Sequence, residues 1–161
     1  MMAEDLELLE PWLEAHLAAL SPARRTAVAR KVGQALRRAN TKRIAANVQP
    51  DGSAMEKRKR RARLRDRESK AAKSGRMFPK LRLARSISIR ATPEGVEVGY
   101  NNPMIAHTAR AHQFGLVDHV GKTSDGRKVT TKYPVRVLLG FGPKDREGVL
   151  EVVMAMLEGK P

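Results

Sequence analysis

The sequence predicts an α+β fold: a small mixed or antiparallel sheet packed by helices, with an N-terminal helical hairpin in front of it. Three observations predict it. Residues 132–157 read as a strand, a glycine-bounded turn and a covering helix, and residues 81–100 alternate apolar with polar side chains on either side of a turn. Residues 4–47 carry two helical periodicities joined at Ser21-Pro22. Three regions are therefore expected: a helical hairpin over 1–50, a basic connector loop over 51–76 and an α+β core domain over 77–161.

Leu6, Leu9, Leu13, Leu17 and Leu20 share one helical face with Trp12 beside it, which predicts an amphipathic helix over 4–20. Glu4 and Asp5 suit its positive end, and Pro11 predicts a kink or the end of a short first turn. Ser21 supplies a capping hydroxyl and Pro22 a first helical residue, so a second helix is expected from there to about Asn47. Val28, Val32, Leu36 and Ala39 line one side of it, while Arg24, Arg25, Arg30, Lys31, Arg37, Arg38, Lys42 and Arg43 crowd the others. Gln49-Pro50-Asp51-Gly52 ends it with strong turn chemistry.

Lys57–Arg67 holds eight basic residues in eleven, opposed only by Asp66. Such a run is either an open, solvated loop spread by its own repulsion or a contact for nucleic-acid phosphates, which need charge rather than sequence-specific geometry. Arg58, Arg60, Arg61, Arg63 and Arg65 are the candidate DNA or anion contacts.

From Leu81 the period changes to two. Leu81, Leu83, Ile87 and Ile89 alternate with polar residues, and Val96, Val98 and Tyr100 do so again after Thr92-Pro93-Glu94-Gly95, which predicts a β-hairpin. Pro103 can start a short helix carrying Ile105, Ala106, Ala109 and Ala111, and Gly115 ends it. Residues 116–132 read as a polar excursion with a second hairpin, Val117–Val120 against Val129–Lys132, around Asp125-Gly126. Tyr133–Leu139 is apolar and β-branched, with Pro134 confined to its start, and is expected to be a strand. Gly140 and Gly142 turn it into a helix that begins at Pro143 and presents Leu150, Val153, Met154 and Leu157 to the sheet.

The chain of 161 residues carries a formal charge of +15 and a pI near 10.9, which argues for a polyanionic environment. Without cysteine there is no disulfide frame, thiolate metal site or thiol nucleophile. No apolar run approaches a membrane span and the acidic start is unlike a signal peptide, so synthesis in the cytoplasm is expected. Aromatics make up only 4% of the chain, so an oligomeric interface is expected to add burial; Trp12, Leu13, Phe114, Tyr133 and Phe141 are its candidate assembly residues. His107 and His112 lie five apart with only Asp118 and Asp125 as nearby acids, which is a poor ligand set, and His112 is expected to be a hydrogen-bonded packing residue. No phosphate cradle, nucleophile elbow or apolar acid pair is present. No catalytic residue, cofactor or metal site is expected, and the chain does not read as an enzyme.

At His112-Gln113-Phe114-Gly115, preceded by Met104-Ile105-Ala106, and at Tyr133-Pro134-Val135-Arg136 running into Leu138-Leu139-Gly140, the chain resembles the phage virion morphogenesis family. These are the tail completion proteins of contractile-tailed phages. Leu20-Ser21-Pro22, Arg43-Ile44-Ala45-Ala46, Pro50-Asp51-Gly52-Ser53, Met77-Phe78 with Lys80-Leu81-Arg82, Val96-Glu97-Val98-Gly99 and Lys144-Asp145 match in the same order. Where the family often carries an aromatic after its Pro-Asp-Gly turn, this chain has Met55, and residues 116–132 have no clear counterpart. The resemblance implies a non-enzymatic virion protein, a tail terminator at the head-proximal end that stops growth and prepares head-tail joining. It further implies a homo-oligomeric, hexameric ring in the tail or neck, assembled in the host cytoplasm without a membrane. The implied partners are tail tube and sheath proteins, head-tail connector or neck proteins and genomic DNA in the channel. The alternative is a freestanding, sequence-nonspecific nucleic-acid-binding protein. Its chief support is net charge, and its weakness is a basic run with no aromatic to stack on bases.

Overall fold

Ser21 is extended and its Oγ accepts the Arg24 N–H at 3.4 Å, while Pro22 fills the first helical position, where its missing donor is harmless. Helix α1 (Pro22–Ala46) starts there and stops at Asn47, whose left-handed φ of 56° closes the last turn. In this computed structural model the described residues are 11, 14–57, 77–122 and 125–158. Residues 14–19 are helical and bend at Leu20 into α1, the near end of the predicted helical hairpin. Leu17 and Leu20 are half-buried; the rest of the leucine seam, with Trp12, lies outside the described residues.

Helix α1 is the element against which the first hairpin and the last helix pack. The antiparallel hairpin β1 (Ile87–Thr92) and β2 (Gly95–Tyr100), in register from Ile87↔Tyr100 to Thr92↔Gly95, lies against one flank. Gly33 sets the approach: a Cβ there would stand 2.5 Å from Ile89 Cγ2 and 2.7 Å from Val96 Cγ2. Helix α3 (Pro143–Leu157) starts at the predicted proline and buries Val153, but it packs on another flank of α1 and not on the sheet, because the segment before it is not a strand it could cover. Leu81 and Leu83 precede β1 in turns leading to a 3₁₀ turn at Ala84–Ser86, so the strand begins later than alternation implies. Leu81 is instead a core residue at 4% exposure.

Helix α2 (Pro103–Gln113) is capped by Asn102, whose Oδ1 accepts the Met104 and Ile105 N–H groups at 3.0 and 3.2 Å. Gly115 follows at φ +62°, the left-handed turn the sequence requires there. The chain then forms a second hairpin, β3 (Val117–Lys122) with β4 (Lys128–Lys132), bulged between His119 and Gly121. The sheet component of the α+β fold is thus two separate antiparallel pairs. The core joins the end of α1 (Ile44), Met55, the 77–81 turn (Met77, Phe78, Leu81), α2 (Ala109) and Leu138. Met55 is 3% exposed, so it fills the core just after the Pro-Asp-Gly turn.

Tyr133–Leu139 is not a strand. Among the described residues no strand pairs with it; the Tyr133 and Arg136 N–H groups go to the Leu116 and His112 carbonyls and those of Val137, Leu138 and Leu139 to side chains, and that network builds the surface described next.

Candidate assembly surface

Gln113, the last residue of α2, reaches across to the extended segment. Its Oε1 accepts the Leu138 and Leu139 N–H groups at 2.7 and 3.1 Å, and its Nε2 donates to the Leu139 carbonyl at 3.0 Å. Gln49 Oε1 accepts the Val137 N–H at 2.9 Å, and the His112 carbonyl accepts that of Arg136 at 2.8 Å. Asn40, buried on α1, gives its Nδ2 to the Leu36 carbonyl and turns Oδ1 toward the Gly140 N–H at 3.2 Å. Three side-chain amides therefore supply what a partner strand would have supplied, which is why β-propensity alone misplaces a strand here.

Two cations close the frame. Arg43 donates to Asp145 Oδ2 at 2.6 Å, to Asn40 Oδ1 at 2.8 Å and to the Gly140 carbonyl at 2.8 Å. Asp145 Oδ2 also accepts the Gly142 N–H at 2.7 Å, half of a capping box whose other half a glycine cannot supply. Arg136, 3% exposed, donates Nε to the Glu56 carbonyl at 2.7 Å and a terminal nitrogen to the Lys57 carbonyl at 3.4 Å. Its other terminal nitrogen meets His112 Nδ1 at 3.0 Å. A guanidinium has no acceptor, so His112 Nδ1 accepts and its proton sits on Nε2. The His112 ring lies edge-on to Phe78, with centroids 5.0 Å apart, and tilted against Tyr133 at 4.3 Å. His112 is thus a hydrogen-bonded packing residue. Arg136 also fixes the backbone where the basic run Lys57–Arg67 begins.

On its outer side this frame carries unburied apolar groups. Phe114, Val117 and Val135 are 63%, 63% and 56% exposed. Gly115 lets Val135 approach the turn between Phe114 and Val117 closely: a Cβ there would lie 2.8 Å from Val135 Cγ2 and 3.2 Å from the Tyr133 carbonyl. Phe141, 66% exposed, stands at the lip of an open cavity of about 240 Å³ lined by Leu36, Val96, Val98 and Leu139. Beside the first patch, the β3–β4 hairpin stands out from the body, with every residue of β4 exposed. Its base is tied by the Tyr133 N–H donating to the Leu116 carbonyl at 3.1 Å and by His107 Nε2 against Asp118 Oδ1 at 3.1 Å. That His107 hydrogen bond, then the His119 N–H, hold the Asp118 carboxyl below the usual carboxylate range.

Of the residues singled out from the sequence, Phe114 and Phe141 lie on the surface and Tyr133 is half-buried against His112. Trp12 and Leu13, and Arg58, Arg60, Arg61, Arg63 and Arg65, lie outside the described residues. Sequence reasoning missed Met104, Val117 and Val135, because a lone exposed aliphatic carries no periodic signal. It also missed Asn40, Gln49 and Gln113 as frame builders, although Gln113 stands inside the His112-Gln113-Phe114-Gly115 motif. Among the described residues no group of three or more His, Cys, Asp or Glu could hold a metal ion, and no helix is long and apolar enough to cross a membrane.

Residues 4–158 match the model of the phage virion morphogenesis family. The chain is 32% identical over 158 residues to tail completion protein S of Escherichia phage P2, covering 96% of this chain and 98% of that protein. No solved structure matches the chain. The family motifs are scattered in sequence, yet Arg43, the Pro50-Asp51-Gly52-Ser53 turn through Gln49, His112-Gln113, Arg136 and Asp145 meet in the single network around residues 133–142.

Proposed function

The chain belongs to the phage virion morphogenesis family, and we propose that it is a structural virion protein that completes a contractile tail. It acts at the head-proximal end, ending tail growth and preparing the tail to join the head. The observation that carries this is the likeness to the P2 tail completion protein over nearly the full length of both chains. A rigid frame presenting unburied aromatics supports an assembly role rather than a catalytic one.

Copies of the chain close into a ring of six around the DNA channel, in the tail or neck of the virion, with tube, sheath and connector proteins on its two faces. The patch of Phe114, Val117 and Val135 and the cavity under Phe141 are unlike surfaces of one chain. Contacts between unlike surfaces generate rings when the rotation closes. Trp12 and Leu13 add to the same contacts, and the basic run faces DNA.

Sedimentation velocity of the purified protein and immunogold microscopy of isolated tails test this together. The expected result is a discrete ring-sized oligomer and label at one tail end. Phe114→Ala with Phe141→Ala should dissociate the oligomer while leaving the melting temperature within about 2 °C, since exposed groups contribute little to folding. A chain that stays monomeric at high concentration and never labels tails refutes the proposal. The net charge of +15 favours a second reading, a freestanding nucleic-acid-binding protein; a monomer holding DNA at physiological salt is its signature.

A further inference from the structure

Helix α1 has a face that the core does not use. At about 100° per residue, Arg24, Lys31, Arg38 and Lys42 fall within about 40° of one another, and Gly33, Leu36, Asn40 and Ile44 are buried on the far side. All four cations are exposed, as is Arg30, which lies about 100° round the helix from Lys31. The row from Arg24 to Lys42 runs along about 27 Å of helix. No Asp or Glu occurs anywhere in the 25 residues of α1, and none of the five cations forms an ion pair among the described residues. Arg38 and Lys42 are four residues apart, a like-charge spacing that destabilises a helix by a few tenths of a kcal/mol, so an anion on this face would relieve a cost to the isolated chain.

The chemistry of this face identifies its ligand class. None of the large exposed apolar side chains of the described residues lies on α1; Met104, Phe114, Leu116, Val117, Val129, Val135 and Phe141 are all elsewhere. A protein partner is recognised through an apolar centre with charge at the rim, and this face has charge at its centre. Duplex DNA offers what the row fits: about one phosphate charge per 1.7 Å of axis, read without regard to sequence. We propose that Arg24, Lys31, Arg38 and Lys42 of α1, with Arg30 at their flank, form a sequence-independent binding ridge for the DNA phosphate backbone. The ridge gives the basic connector a rigid companion. Its place on the channel wall rests on the ring described above; its binding of DNA does not.

The test uses the full chain and a 30-base-pair duplex of arbitrary sequence, followed by fluorescence anisotropy across a salt series. Lys31→Gln/Arg38→Gln/Lys42→Gln should weaken binding at least tenfold near 100 mM salt. It should also lower the slope of log K against log salt by about 2.7, at roughly 0.9 for each phosphate no longer neutralised. Unchanged circular dichroism and melting establish that the variant is folded, and sedimentation reports separately whether the ring persists. A wild-type chain that binds no duplex overturns the proposal, as does a ridge variant with an unchanged slope. So does a ridge variant that loses its oligomer while binding DNA normally, which would mean that the ridge meets an acidic protein surface. A ring that fails to form while the slope still falls leaves the ridge standing and removes only its placement.

Discussion

Replacing Gln113 removes three hydrogen bonds to the extended segment at once: two accepted from Leu138 and Leu139 N–H, and one donated to the Leu139 carbonyl. Leu138 is 1% exposed, so its N–H finds no substitute partner, whereas half-buried Leu139 is partly reached by water. A buried donor left unpaired costs about 1–3 kcal/mol, and the two partly wetted groups add roughly 0.5 kcal/mol each. Gln113→Met keeps the side-chain volume and loses all three bonds, so it should destabilise by about 2–4 kcal/mol, or roughly 6–12 °C for a 3 kcal/mol loss in a chain of this size. Gln113→Glu retains an acceptor for both N–H groups but opposes a carboxylate to the Leu139 carbonyl, and should fall between. Urea unfolding followed by far-ultraviolet circular dichroism measures the loss, and amide exchange at Leu138 and Leu139 locates it. If the Met variant lies within about 0.5 kcal/mol of wild type with both amides still protected, the side-chain frame is not what holds the segment.

Gly33→Ala improves helix propensity by about 1 kcal/mol but drives a methyl into the β-branched Ile89 and Val96, a clash of about 1–3 kcal/mol, so a net loss of up to about 2 kcal/mol is expected in urea. Burial pushes the Tyr100 phenol above its ordinary range, and its hydroxyl has no hydrogen-bond partner among the described residues. Tyr100→Phe should therefore be neutral or stabilise by up to about 1 kcal/mol, and a clear destabilisation would reveal an overlooked acceptor. Asp118 is held below its ordinary 3.8 by His107 first and then the His119 N–H, so its stabilisation of the hairpin base is complete above that value. It is lost as pH falls through the depressed one. Amide exchange in β3 should rise over that acidic window in the wild type and stay level in Asp118→Asn.

The helices were legible because their signals are local. Ser21-Pro22, Asn102-Pro103 and Gly142-Pro143 each start one where the structure starts it, and the two hairpins follow their turn residues. Tyr133–Leu139 was not legible, because its β-branched composition says extended and nothing in the segment says what will occupy its amides. That information sits 80 to 100 residues away in Asn40 and Gln49, and in Gln113 at the end of another helix. Among the candidate residues, Phe114 and Phe141 stood out as large aromatic groups in a chain with few, and the fold leaves both exposed. The row on α1 was visible as composition, but only the packing of Gly33, Leu36, Asn40 and Ile44 shows which arc is left over.

The amide clamp on residues 137–140 has a consequence for the chain in bulk. An uncovered β-rich stretch is ordinarily a template on which further molecules add, strand by strand, into fibres. Here Gln49, Gln113 and Asn40 already occupy the donors such growth would recruit. A population of these molecules can thus accumulate at high concentration without polymerising through this stretch.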